Sequence, residues 1–314
     1  MDVLRGIDQL EAEGRPAAVT IGFFDGVHRG HQAVIRRTVD VAAQRGLDAV
    51  AVTFDRHPLE TLSPGKAPLL LTTLERKIEL VSALGVDRLL VLEFTEDLSR
   101  WQPDEFAKRV LADGLRAEHV VVGTNFTFGH RAMGNLLVLA ELGEGMGFTV
   151  EGMALLRLNG RGVSSTSIRE ALVAGDLEWP ERALGRRYSV EGRVVRGAGR
   201  GTGLGWPTAN LETPPSILLP DEGAYAGIAR GPRGEFVAAI NIGGNPTFGA
   251  EPVHIEAYLL DFQGDLVGET LEIEFWTRLH DEIAFESAEA LADQIAEDVE
   301  RTRQLVGRGP PATR

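Results

Sequence analysis

The sequence predicts an α/β protein in two parts: a doubly wound parallel sheet first, then an antiparallel β-barrel or sandwich followed by a terminal helix. Three observations carry this. Up to about Ala183, short apolar runs alternate with segments of helical spacing, the pattern of strand–helix–strand crossovers. Beyond about Leu184, glycine becomes frequent and short runs follow one another between turn signals, as in close antiparallel strands. The 314 residues, 43% of them hydrophobic, are enough for two domains with ordinary cores.

In chain order, the first-half strands are expected at Val19–Phe24, Ala49–Phe54, Arg88–Leu92, His119–Val122 and Phe148–Met153. Helices are expected after the first strand over 32–44, with Val34, Ile35, Val39, Val41 and Ala42 on one side, over Thr73–Leu84 with Thr72 or Thr73 as cap, and over Pro103–Leu115 with proline in the first turn. Trp179-Pro180-Glu181-Arg182 reads as a linker. The second-half strands are expected at Tyr188–Val195, Gly223–Ala229, Phe236–Ile242, Val253–Leu260 and Thr270–Trp276. Ser287 can cap the closing helix, with Leu291, Ile295, Val299 and Thr302 along one side. The domains are therefore 1–183 and 184–307, with 308–314 read as a disordered tail.

Composition narrows the function. A net charge of −14 argues against a general nucleic-acid partner, which needs a basic face. No apolar run approaches a membrane span, and Met1–Gly14 lacks the apolar core of a signal peptide. With no cysteine there is no disulfide, thiolate metal site or cysteine nucleophile, which fits a cytoplasmic protein.

The sharpest motif is Gly22-Phe23-Phe24-Asp25-Gly26-Val27-His28-Arg29-Gly30-His31, a strand–turn–helix junction. Unpaired amides at a helix start, aided by the helix dipole, can hold phosphate, so Gly22, Phe23, Asp25, Gly26 and Gly30 are candidate phosphate-binding positions. His28 and His31 can donate hydrogen bonds to charge on a transferring phosphorus. A tight glycine turn with two surface histidines is the plainer alternative. In Gly123-Thr124-Asn125-Phe126-Thr127-Phe128, the rings of Phe126 and Phe128 can stack on a flat heterocycle and Asn125 can read its edge, unless the rings only plug the sheet rim. Ser164, Ser165 and Thr166 can cap a helix or bind phosphate, with Arg169 one turn on as a clamp for a triphosphate.

In the second half, Gly199, Gly201 and Gly203 belong to a glycine-dense loop, neither Walker A nor Gly-x-Gly-x-x-Gly, that can bring amides to phosphate. Thr208 and Asn210 offer two hard oxygens suited to Mg²⁺ shared with substrate phosphates. Alternation over Val253–Leu259 sets Val253, Ile255, Ala257 and Leu259 on one face and His254, Glu256 and Tyr258 on the other, with Glu256 able to act as general base.

These strings resemble a known family. His28-Arg29-Gly30-His31 is similar to the His-x-Gly-His signature of nucleotidylyltransferases, and Ser164 to Arg169 resembles their Ser-Ser-Thr-x-Ile-Arg string. The longer first motif, the loop ending Pro207-Thr208-Ala209-Asn210, the Glu256 strand leading into Leu259-Leu260-Asp261-Phe262, and Asn241–Phe248 look like prokaryotic bifunctional riboflavin kinase/FAD synthetases. Thr53-Phe54-Asp55-Arg56-His57-Pro58 also resembles them, with His57 read as structural. The resemblance implies a nucleotidylyltransferase domain over 1–183 and a β-barrel riboflavin kinase domain over 184–307. It implies ATP-dependent phosphorylation of riboflavin to FMN and adenylylation of FMN to FAD with release of pyrophosphate, both with Mg²⁺. It assigns catalysis to Glu256, His28, His31 and Arg169, and flavin contact to Asn125, Phe126 and Phe128. Two positions depart from the family pattern: Leu279-His280 where Leu-Arg is usual, and Ala284 where a lysine is usual. A nucleotidylyltransferase for another cofactor and a flavin sensor without turnover are the rival readings.

Overall fold

The computed structural model describes residues 1–10, 14–197, 206–244, 253–283 and 285–307. The chain divides into two compact units, Met1–Ser165 and Thr166–Arg314.

The first unit is built on a six-stranded sheet in the order β1-β4-β3-β2-β5-β6. Its strands are β1 (Asp2–Arg5), β2 (Ala17–Ile21), β3 (Asp48–Phe54), β4 (Arg88–Leu92), β5 (Ala117–Gly123) and β6 (Thr149–Met153). Every neighbouring pair is parallel, so helices must cross over both faces and the central strands are apolar throughout. All five residues of β2 are buried. β1 escapes a sequence reading because Asp2-Val3-Leu4-Arg5 is a short edge strand with charged ends. Strand order reverses beside β2, where doubly wound sheets bind ligands beyond the carboxyl ends of their strands.

Helix α1 (Arg29–Arg45) follows β2, starts on His28 and stops at Gly46, whose φ of 70° is left-handed. In the helix Leu74–Ser82 the cap is Thr73, whose side chain accepts from the Arg76 amide. The helix expected over Pro103–Leu115 is α-helical over Pro103–Phe106 and π-helical over Ala107–Gly114, with Phe106, Ala107, Val110 and Leu111 buried. These four join β2, β3, β4 and β5 side chains in one core, while Ile35 and Val81 join the core on the opposite face.

The second unit is a closed antiparallel barrel in the order β10-β13-β12-β11-β14-β9. Its strands are β9 (Ser189–Val195), β10 (Ala209–Glu212), β11 (Gly223–Gly231), β12 (Gly234–Gly243), β13 (His254–Leu259) and β14 (Thr270–Asp281). β7 (Arg157–Leu158) and β8 (Arg161–Gly162) form a small hairpin in the first unit. β10, a four-residue strand that begins two residues after Pro207, is the barrel strand that periodicity did not separate from its loop, and β14 runs to Asp281 rather than stopping at Trp276. Val253, expected on the apolar face, precedes β13 and is exposed. The terminal helix Ala288–Val306 is capped by Ser287, buries Val299, Thr302 and Val306, and packs Val306 against Ala224, Ala226 and Ile228 of β11.

The expected linker Trp179–Arg182 is instead part of a helix, Glu178–Leu184. Pro180 is tolerated in its first turn, Asp176 accepts from the Glu178 and Trp179 amides, and Trp179, Ala183 and Leu184 are buried. Gly199, Gly201, Gly203, Ala284, Asn245–Phe248 and the tail 308–314 lie outside the described residues.

Candidate active sites

The turn from Gly22 to His28 is bent by an unusual backbone. Phe24 has φ 55°, Gly26 φ 76° and Val27 φ 40°. A β-branched residue in that region is strained, and such strain persists only where the surroundings impose it. Asp25 is one source. Its buried carboxylate accepts from the amides of Leu71 (2.9 and 3.1 Å) and Thr72 (3.2 Å), and the Gly26 amide donates to the Thr72 hydroxyl (3.1 Å). Asp25, expected at phosphate, therefore faces inward and braces the turn. Gly22 makes room for the Phe24 ring, which would lie 2.6 Å from a Cβ placed there.

His28 is the N-cap of α1: its Nδ1 accepts from the His31 amide at 3.2 Å. An accepting Nδ1 puts the proton of the neutral ring on Nε2, so His28 presents an N–H beyond the helix start. The His28 and His31 rings stack with centroids 3.5 Å apart, over Gly30, where a Cβ would crowd the His28 ring at 3.1 Å. Phe24 meets His31 edge-on at 5.3 Å. His31 Nδ1 is sealed from solvent with no hydrogen-bond partner among the described residues. Burial first, then His28, then Lys77 push the His31 imidazole well below its usual range, so it is neutral at pH 7 and able to donate to an anion without already carrying charge.

Lys77 is the residue the sequence reading missed. It lies on the helix Leu74–Ser82 and is 3% exposed. The available signal was a lysine at helical spacing with Leu74, Ile78 and Val81. His57 caps the short helix Pro58–Leu62, its Nδ1 accepting from the Leu59 amide.

Other expected groups of the first unit fall as follows. Ser165 donates through Oγ to the Asp25 carbonyl at 2.9 Å. Ser164 is exposed. Helix Ser165–Val173 begins there and carries Thr166 and Arg169. Phe126 is half-buried and stacks on Phe128 at 5.5 Å, while Phe128 is buried against Phe106 and covered by Gly134. Asn125 is exposed at the end of β5.

In the barrel, strand register assembles the site. Glu256 on β13 pairs with Asn210 on β10 and with Asn241 on β12. Directly opposed residues share a sheet face, so Asn210, Glu256 and Asn241 form a row, while Ile255, Ala257 and Leu259 are buried on the other face. Thr208 donates through Oγ1 to Glu256 Oε2 at 3.3 Å, and His254 Nε2 lies 3.2 Å from Glu256 Oε1. Asn210 Nδ2 donates to the Thr208 carbonyl at 3.5 Å. Gly197 lies against this group, where an added Cβ would displace the Asn210 carboxamide. Thr208, Asn210 and Glu256 are thus brought together, with a carboxylate open enough to meet substrate. His280, the departure from the family pattern, pairs through Nε2 with Asp298 of the terminal helix at 2.9 Å, and its Nδ1 lies 2.7 Å from the Asp281 carbonyl.

Comparison with known proteins follows the same division. The family model for FAD synthetase matches residues 10–167 and the one for riboflavin kinase matches residues 184–306. A bifunctional riboflavin kinase/FMN adenylyltransferase from Pseudomonas fluorescens is 39% identical over 306 residues, spanning 97% of this chain and 98% of that protein. The protein of that description from Escherichia coli (strain K12) is 32% identical over 317 residues, spanning 99% and 100%. A solved structure described as a macrolide-efflux protein from Streptococcus pneumoniae matches with a TM-score of 0.86 at 27% identity, covering 96% of this chain and 99% of that one. With both halves matched and relatives aligned end to end, this chain belongs to the bifunctional riboflavin kinase/FMN adenylyltransferase family.

Proposed function

We infer that the chain makes FAD in two ATP-dependent steps, one on each matched stretch. In the first, the terminal hydroxyl of the riboflavin side chain attacks the γ-phosphorus of ATP, the new P–O bond forms FMN, ADP departs, and the hydroxyl proton passes to Glu256. In the second, a phosphate oxygen of FMN attacks the α-phosphorus of ATP, and pyrophosphate leaves with the bonding pair. The observation that carries this reading is the Glu256 row: a carboxylate bonded to Thr208, with Asn210 beside it, within the stretch matched to riboflavin kinase.

Glu256 is the general base, oriented by the Thr208 hydroxyl and His254. The hydroxyl of Thr208 and the carboxamide oxygen of Asn210 are hard donors that fit Mg²⁺ with phosphate and water completing its shell. When bound, Mg²⁺ neutralises charge on the ATP phosphates. Gly199, Gly201 and Gly203 are assigned to phosphate contact on their sequence alone.

For adenylyl transfer, His28 donates through Nε2–H and His31 through its neutral ring to charge developing on the α-phosphoryl oxygens. Gly22, Phe23, Gly26 and Gly30 shape the turn and the amide-rich helix start that receive phosphate. Ser164, Ser165, Thr166 and Arg169 are assigned to the ATP phosphates on the signature string they form. Flavin contact falls to Phe126 and Asn125, with Phe128 backing the Phe126 ring from inside the core. The cysteine-free composition and the charge of −14 support a cytoplasmic enzyme of small anionic substrates with no nucleic-acid partner. Among the described residues no helix is long and apolar enough to cross a membrane.

The test is incubation of the purified chain with riboflavin, ATP and Mg²⁺, with products separated by chromatography. FMN followed by FAD is expected. FAD formed from supplied FMN but no FMN from riboflavin would leave only the adenylyltransferase.

A further inference from the structure

Burying an ammonium is costly unless its hydrogens are met by acceptors. For Lys77 all three are met: Nζ donates to the carbonyls of Phe23 (3.1 Å) and Phe54 (3.0 Å) and to the Thr53 hydroxyl (3.3 Å). Phe23 lies just beyond β2, and Thr53 and Phe54 end β3. The same nitrogen sits 4.2 Å over the Phe23 ring, and Thr53 Oγ1 donates to the Phe23 carbonyl at 3.1 Å. With its three hydrogens committed, Lys77 is not a phosphate ligand. It is placed where the strained turn begins, one residue before Phe24.

We propose that Lys77 is a positioning residue for adenylyl transfer: its ammonium ties the exits of β2 and β3 together and so fixes the turn that delivers His28 and His31. The proposal rests on the assignment of those two histidines to that reaction. The charged and titratable groups around Lys77 are Asp25 on the turn, Asp55 after β3 with Arg56 paired to it, and His31 and His28 at the start of α1. The two carboxylates support the charged ammonium against its burial. In return, the positive charge of Lys77 adds to the burial that disfavours protonation of His31.

The test uses the full chain with Lys77→Met, Lys77→Arg and, as a control, His31→Ala. Lys77→Met is expected to lower kcat for FMN adenylylation roughly 10- to 100-fold by misplacing the turn, with KM for ATP little changed and riboflavin phosphorylation intact. Nitrogen-15 spectra of the histidines should show His31 titrating at higher pH in Lys77→Met and returning toward the native value in Lys77→Arg. A lowered melting temperature with native kcat and native His31 titration would make Lys77 a purely structural residue and overturn the proposal. Should Lys77→Met fail to fold, the unaltered chain still decides: the His31 signals should move again at the pH where Lys77 loses its proton, and a flat response overturns the proposal. Normal adenylylation by His31→Ala would sink the histidine assignment instead, while the spectra still report whether Lys77 and His31 are coupled.

Discussion

The turn at residues 22–28 is held from within, by buried polar bonds that impose three left-handed residues in a row of four. The Glu256 row is held by register, each side chain placed by the strand that carries it and by the partner directly opposite. The two arrangements differ in what would undo them. A turn fixed by Asp25, Thr72 and Lys77 depends on residues distant in sequence, so a change at any of them reaches the histidines. A row fixed by three hydrogen-bonded strands loses one function at a time, because the backbone ladder survives the loss of a side chain.

The largest expected effect tests the row. Glu256→Gln should slow riboflavin phosphorylation by ~10²–10⁴, since a hydroxyl is a poor nucleophile without a base, while riboflavin binding by calorimetry and conversion of supplied FMN to FAD persist. Near-native phosphorylation would mean another group takes the proton, and an unfolded barrel would mean that the row is itself a support.

Next comes the turn. His28→Ala and His31→Ala should each cost ~10²–10³ in FMN adenylylation and spare riboflavin phosphorylation. His28→Ala also removes the N-cap of α1, worth ~1 kcal/mol, so its melting temperature should fall further than that of His31→Ala. Equal melting of the two variants would show that the cap matters less than the geometry suggests.

A third experiment exploits pH. Burial lowers the Lys77 ammonium from 10.5 to about 8 despite Asp25 and Asp55. Between those values the unfolded chain holds more protons than the folded one, so stability rises with pH in that window, by up to about 3 kcal/mol. The rise should appear in calorimetric unfolding of the native chain and vanish in Lys77→Met. The same slope in both would assign it to another group.

The smallest effect is expected at His280. It bonds Asp298 of the terminal helix, so His280→Ala should lower the stability of the second unit by roughly 1 kcal/mol and leave KM for riboflavin near native. A large change in KM with unchanged melting would place His280 at the substrate instead.

Some features were legible because they are local. The apolar run of β2, the glycine turn, the capping residues Thr73 and Ser287, and the alternation around Glu256 each follow from neighbours within a few residues. Trp179–Arg182 was misread because proline suggests a break, whereas in a first helical turn it costs nothing and Trp179 and Leu184 find burial. β10 was hidden because four residues cannot display a period, and only pairing with β9 and β13 defines it.

What the sequence determined by itself was the alternation of strands and helices in the first half, the two-part division of texture, and which residue types stand in its motifs, since period, capping and turn chemistry act over short stretches of chain. The tertiary structure decided the rest. It turned Asp25 inward, buried Phe128 behind Phe126, set Asn241 opposite Glu256, and placed the Lys77 ammonium between two strand ends. Each of these depends on groups brought together from distant parts of the chain, where burial makes every unpaired polar atom costly and leaves few arrangements that satisfy them all.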